Sequence, residues 1–290
     1  MEKISNQELS LTISPVGAEM RTLTDKRANR ELLWHGDTKY WGGRSPILFP
    51  AVGGMWNAAY RYGGKSFNMP KHGFVRRIEW EVAARSGNSI TFAHERTADE
   101  AEVFPWPYRV EVEYVLEGRR VRVLFRVKND SAEDMFFQMG GHPGFSLPDF
   151  SEDEAVSGFL RFTGRADHLL RAADQGCTLA ERFPVPTDAD GDVPVCVGTF
   201  ANEALILPGG QVSAVTLLRK DRSPLVRVES NAPVWLVWAP QNEHAPFVCF
   251  EPWYGLCDPI GFDGDVSERP FINRLGAGRE WHGGYDILVY

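Results

Sequence analysis

Apolar and polar residues alternate along much of this chain. Across residues 108–116, Val110, Val112 and Tyr114 fall on one face and Arg109, Glu111 and Glu113 on the other. That is the two-residue period of a half-buried strand, not the 3.6-residue period of a helix. Glu117-Gly118 interrupts the run, Val121, Val123 and Phe125 resume it up to Val127, and Lys128-Asn129-Asp130 stops it. The spacing predicts a hairpin. Shorter apolar or alternating runs predict strands over 9–13, 89–92, 135–139, 203–207, 214–218, 225–228, 234–238, 247–250 and 287–290, with Gly, Pro, Asn and Asp between them. Proline cannot donate to a ladder, so the 247–250 strand is expected to stop before Pro252. Strands recurring at such short intervals predict an all-β chain built as a large sandwich or a barrel. The best helical candidate is short, residues 97–103, where Thr97 and Glu100 have capping-box spacing. Residues 148–156 and 184–194 read as long loops. Neither has the character of an interdomain linker, so 1–290 is read as one domain.

Composition narrows the function classes. A chain of 290 residues can bury a sizeable core without disulfides. No apolar stretch approaches the ~18 residues of a membrane-spanning helix, and the N-terminal residues carry no apolar signal core. The four cysteines, Cys177, Cys196, Cys249 and Cys257, form no CxxC pair. Reduced thiols and a cytoplasmic location are therefore expected. Cys249 and Cys257 flank Glu251, but the set lacks the ligand spacing of a zinc site. A formal charge of -8 argues against nucleic acid or an anionic membrane as partner. The acidic run 149–154 reads as a solvated loop. The nine tryptophans and eighteen phenylalanines serve mainly a core, so aromatic content alone does not argue for sugar binding.

Three titratable side chains sit among glycine, proline and aromatics. His142 lies in Gly140-Gly141-His142-Pro143-Gly144-Phe145, where the glycines allow close backbone approach and the proline stiffens the next residue. His72 lies in Lys71-His72-Gly73-Phe74-Val75-Arg76, with two cations that would favour its neutral form. Either could instead be a histidine hydrogen-bonded in a tight turn. Glu251 follows the apolar run Phe247-Val248-Cys249-Phe250; burial there would raise its pKa towards the range of a general base. The alternative is a structural partner for an arginine. Arg44, after Gly42-Gly43, offers a planar fork suited to vicinal hydroxyls, or equally to an ion pair.

Taken in order, several segments resemble the aldose 1-epimerase (galactose mutarotase) family, and within it the LacX-like branch. They are Gly17-Ala18-Glu19, Gly43-Arg44-Ser45-Pro46-Ile47-Leu48-Phe49-Pro50, Lys71-His72-Gly73-Phe74, Gly141-His142-Pro143-Gly144-Phe145, Phe200-Ala201-Asn202-Glu203-Ala204-Leu205-Ile206 and Glu251-Pro252-Trp253-Tyr254-Gly255. The resemblance covers nearly the whole chain. It implies a large antiparallel β-sandwich of the galactose mutarotase type, a monosaccharide as small-molecule partner, and interconversion of anomers without a cofactor or metal. Position by position it implies Glu251 as general base, His142 as general acid, His72 as a second active-site histidine and Arg44 as a contact to sugar hydroxyls. Glu203 stands where the family often has a sugar-binding Asp, and Trp253 offers an aromatic surface. The expectation is that His72, His142 and Glu251 converge on one concave pocket, with His142 and Glu251 on opposite sides of a bound ring. Two other readings stay open: a mutarotase for a phosphorylated hexose, with Lys71, Arg76 and Arg77 on the phosphate, and a non-catalytic sugar-binding module. A metal-dependent hydrolase using the same three residues lacks an HExxH or paired-His pattern.

Overall fold

The hairpin forms as the alternation requires. In the computed structural model, which describes residues 1–290, strand Tyr108–Glu117 pairs antiparallel with Arg120–Asn129. The register runs from Tyr108 opposite Asn129 to Glu117 opposite Arg120. Val110, Val112, Tyr114, Val121 and Val123 all point inward and are fully buried. The hairpin lies inside a nine-stranded antiparallel sheet, beside the C-terminal strand Glu280–Val289. That strand is longer than the 287–290 expected, because its first half carries polar residues and three half-exposed positions that blur the alternation. Glu81–Arg85, at the sheet's edge, is exposed at every position and so leaves no apolar pattern to read.

A second sheet of eight strands carries the site. Its order is Cys177–Phe183, Leu169–Ala173, Ala204–Pro208, Val234–Trp238, Phe247–Tyr254, Met139–Gly141 and Ile47–Leu48, with Gly144–Ser146 also paired to Phe247–Tyr254. Its central strands are apolar on both faces, and each face has its own work. Leu205, Leu207, Trp235, Val237, Val248 and Phe250 enter the large core shared with the nine-stranded sheet. The alternate residues Ala204, Ile206, Val234, Leu236 and Trp253 form a smaller cluster on the other face. The chain is therefore an all-β antiparallel sandwich whose second sheet is covered on its outer side as well. No helix is long and apolar enough to cross a membrane.

Three expectations need correction. Residues 97–103 form only a short 3-10 turn, Asp99–Glu102. Thr97 and Glu100 do hydrogen-bond reciprocally, but Glu100 is also drawn to His94 and Tyr108, and this tethers the turn rather than starting a helix. The 135–139 run is two strands, Met135–Phe137 and Met139–Gly141, paired to different partners. Between them the buried Gln138 accepts from the Val52 N–H (3.1 Å) and donates to the Leu256 carbonyl (2.7 Å). Finally, the strand begun at Phe247 does not stop at Pro252; it runs to Tyr254 and is buried throughout. The Phe250 N–H donates to the Pro143 carbonyl, so two residues on, the hydrogen-less nitrogen of Pro252 faces the same neighbour. That neighbour is broken there, between Met139–Gly141 and Gly144–Ser146.

Candidate active site

The break in the sheet positions His142 beside Glu251. Gly140 sits opposite Trp253 and Gly144 opposite Cys249. The same register carried across the gap sets His142 opposite Glu251, on the face that bears Trp253 and Leu236. Pro143 and Pro252 remove the ladder donors from this stretch, so the two side chains meet without a regular ladder around them. Glycines make the approach possible: a Cβ on Gly140 would lie 2.8 Å from the Trp253 ring, and one on Gly141 would lie 2.4 Å from the Tyr285 ring. His142 Nε2 lies 3.2 Å from Glu251 Oε1. They are therefore neighbours on one wall, not groups facing each other across a ring.

Both members of the pair are buried, with relative exposures of 7% for His142 and 1% for Glu251. Burial pushes the Glu251 carboxyl well above the ordinary carboxylic range, against the weaker pull of Lys71. Burial likewise lowers His142 to about 3. The direction for both is the same: a low-dielectric wall disfavours charge on either partner. Burial thus favours the uncharged arrangement, a carboxylic acid beside a neutral imidazole. Glu251 Oε2, His142 Nδ1 and Trp253 Nε1 are buried with no hydrogen-bond partner in the protein. Buried polar groups at one spot can be satisfied by a polar ligand or by water.

His72 is held by its backbone. It adopts a left-handed conformation, φ 66°, followed by Gly73 at φ 69°. Its N–H donates to the Gly53 carbonyl at 2.8 Å, and its ring Nδ1 accepts the Gly53 N–H at 3.1 Å. An accepting Nδ1 places the ring proton on Nε2. Burial, then the neighbouring His142, Lys71 and Arg76, lower its pKa well below the usual value. His72 thus presents a neutral N–H donor. Its ring stands edge-on to His142 (centroids 5.5 Å apart) and to Trp253 (5.6 Å).

These groups line a cavity of about 250 Å³ that also includes Glu203, near the ~300 Å³ lower end of small-molecule pockets. Trp41 and Trp238 add aromatic walls; Trp41 stacks on His142 at 4.8 Å. At the mouth, Lys71 Nζ lies 3.4 Å from Glu203 Oε1. Glu203 immediately precedes strand Ala204–Pro208, in a left-handed conformation with φ 70°. Arg44 is the exception among the expected residues. Its Nη1 donates to the Arg21 carbonyl at 2.8 Å, and its backbone N–H donates to Glu19 Oε1 at 2.8 Å. Its side chain is committed to the N-terminal strands, and Arg76 is the arginine that lines the cavity. No group of three or more His, Cys, Asp or Glu side chains is placed to hold a metal ion.

Sequence reasoning missed Trp41, Trp238 and Gln138. Trp238 ends a run of five apolar residues with nothing to mark which face it takes. Trp41 had one faint signal, Gly43 two residues on, whose Cβ would fall 2.5 Å from the Trp41 ring.

Comparison with known proteins places this geometry. The aldose 1-epimerase family model matches residues 3–258. LacX (chromosomal) of Lactococcus lactis subsp. lactis is 27% identical over 306 residues, covering 99% of this chain and 98% of that protein. A galactose mutarotase-like protein from Lactobacillus casei ATCC 334 superposes with a TM-score of 0.93 at 26% identity, over all of both chains. A galactose mutarotase related enzyme from Lactobacillus acidophilus superposes with a TM-score of 0.90 at 28% identity, covering 100% of this chain and 97% of that one.

Proposed function

The chain belongs to the aldose 1-epimerase family, and from that footing we propose that it is an isomerase that interconverts the α and β anomers of a hexose. Opening a pyranose requires the anomeric O1–H to lose a proton, the C1–O5 bond to break and O5 to gain a proton. Glu251 as carboxylate takes the first proton and His142 as imidazolium supplies the second. O1 and O5 are both bonded to C1, so two groups 3.2 Å apart on one wall can address both. Opening leaves Glu251 protonated and His142 neutral, the arrangement that burial favours. Rotation about C1–C2 presents the other carbonyl face to O5. The O5 proton then returns to His142 and the Glu251 proton to O1, and the ring closes as the opposite anomer.

His72 donates its Nε2–H to charge developing on a sugar oxygen. Glu203 and Arg76 bind hydroxyls, and Trp253 and Trp41 cover C–H surfaces. The single observation behind this reading is the contact between His142 and Glu251 on the cavity wall. Each positioned proton transfer is worth about a hundredfold or more. Lys71 and Arg76 at the cavity favour, as a second reading, a sugar carrying a 6-phosphate. Polarimetry on freshly dissolved single anomers of glucose, galactose and their 6-phosphates tests both. Faster equilibration than buffer is expected for at least one. Sugar binding without acceleration of any would make the protein a binding module instead.

A further inference from the structure

We propose that Asp258 and Arg269 are positioning residues for His72: their buried ion pair fixes the segment 53–56, and that segment holds His72 in the tautomer that presents Nε2–H to the cavity. What the donor does there rests on the mutarotase reading; the positioning does not. Arg269 Nε lies 2.6 Å from Asp258 Oδ1, and the two side chains are 1% and 2% exposed. Neither residue lines the cavity. A buried ion pair gives up the hydration of both charges, and apolar side chains of similar volume often serve stability as well or better. Stability alone therefore does not account for this one.

The partners of Asp258 do. Its Oδ2 accepts the Trp56 N–H at 2.9 Å. Its backbone N–H donates to the Gly54 carbonyl at 3.0 Å, and its own carbonyl accepts the Thr178 N–H at 2.9 Å. The Gly54 N–H donates to the Gly176 carbonyl at 2.8 Å. Residues 54–56 are thus tied to Asp258 at both ends and to the neighbouring turn between. Gly53, one residue earlier, exchanges two hydrogen bonds with His72, through its carbonyl and through the N–H donated to ring Nδ1. Arg269 occupies Oδ1 and so leaves Oδ2 for Trp56. It is anchored in turn, since it follows the turn Val266–Glu268, which a capping box at Asp265 closes.

The segment has no slack. A Cβ on Gly53 would fall 2.4 Å from the Cβ of Cys257, the residue before Asp258, and one on Gly54 would fall 1.9 Å from the Gln175 carbonyl oxygen. A shift of Asp258 is therefore passed on to the Gly53 N–H. That N–H is the group that selects the His72 tautomer, because a ring nitrogen that accepts a hydrogen bond cannot also carry the proton. Once it moves away, Nδ1 is free to take the proton, and Nε2 then faces the cavity as an acceptor instead of a donor. A donor held to a fraction of an ångström needs such support behind it.

Two variants test this. Asp258→Asn keeps the volume but offers one acceptor to two donors; Asp258→Leu with Arg269→Met removes both charges together. Long-range proton–nitrogen NMR spectra, with the His72 signals assigned by their loss in His72→Asn, read the tautomer directly. The unmodified chain is expected to carry the proton on Nε2, and both variants to populate the Nδ1–H form. In polarimetry on the sugar that is turned over, each should lower kcat about tenfold with KM within about twofold. Neither should lower it further in a His72→Asn background, where the donor is already gone. An unchanged His72 tautomer in a folded variant, or a kcat loss that persists in full in that background, overturns the proposal. If neither variant folds, the milder Arg269→Lys is judged by the same spectra and the same criterion, since it keeps the charge but not the planar fork. If the unmodified chain accelerates no sugar, the mutarotase reading fails separately, and the tautomer alone decides the positioning role.

Discussion

Trp41 lies nearly flat on His142, with ring centroids 4.8 Å apart and planes 25° from parallel. Burial drives the imidazole towards neutrality, to about 3, yet the proposed ring opening needs it charged. An indole face attracts a cation, worth roughly 0.5–2 kcal/mol as it is desolvated. Trp41→Leu is therefore expected to lower kcat about tenfold, with a smaller change in KM, in polarimetric progress curves. A change confined to KM would make Trp41 a sugar platform only.

Removing either member of the buried pair should be more severe. Glu251→Gln and His142→Asn are each expected to reduce mutarotation by about 10²–10⁴-fold while near-ultraviolet circular dichroism stays native. Near-normal polarimetric rates in either variant would refute the assigned roles.

The same burial predicts opposite pH dependences of stability. His142 is depressed from 6.5 to about 3, so its contribution is present above 6.5 and lost as pH falls towards 3. Glu251 is raised well above 4.5, so its contribution is present below 4.5 and lost as pH rises towards its folded value. Relative to the unmodified chain, the Tm of His142→Asn should thus improve on acidification from 6.5, and that of Glu251→Gln on raising the pH from 4.5. Parallel curves for either variant would contradict the direction given for that residue.

The left-handed pair His72-Gly73 separates chemistry from backbone. Asn tolerates positive φ, so His72→Asn should fold yet lose the Nε2–H donor, lowering kcat about a hundredfold. At Gly73 a Cβ would sit 2.1 Å from the Phe49 carbonyl oxygen. Gly73→Ala is expected to cost more than about 2 kcal/mol in urea unfolding. A neutral result would mean that the 49–50 backbone yields.

Arg44 should behave as a structural residue. Arg44→Ala strips the Arg21 carbonyl of its charged donor, at about 1.5–3 kcal/mol by urea titration, and leaves KM unchanged. A raised KM at native stability would restore it to the sugar site.

Patterning carried most of the fold into view, because alternation is visible wherever one face of a strand is buried and the other wet. It failed where burial is one-sided in neither sense: Glu81–Arg85, exposed throughout, and the continuation of Phe247–Tyr254 beyond Phe250, buried throughout. Pro252 misled because a proline is read as ending its own strand; here the interruption falls on the neighbour. His72, His142, Glu251, Glu203 and Trp253 were legible as motif residues, and the fold gathers all five. Arg44 was not separable from Arg76, because a glycine-flanked guanidinium suits a carbonyl as well as a hydroxyl. Trp41 and Trp238 were hidden among many other aromatics that serve only packing.

Pro143 and Pro252, each next in sequence to one of the paired side chains, have one more consequence. They lie where the sheet framework itself holds His142 and Glu251, while Gly176 and Glu203 of the same cavity belong to the turns around 174–176 and 201–203. In the mutarotase reading, chemistry and selectivity thus occupy mechanically separate parts of the molecule. Rebuilding those turns offers a route to new substrates with the reacting machinery left untouched.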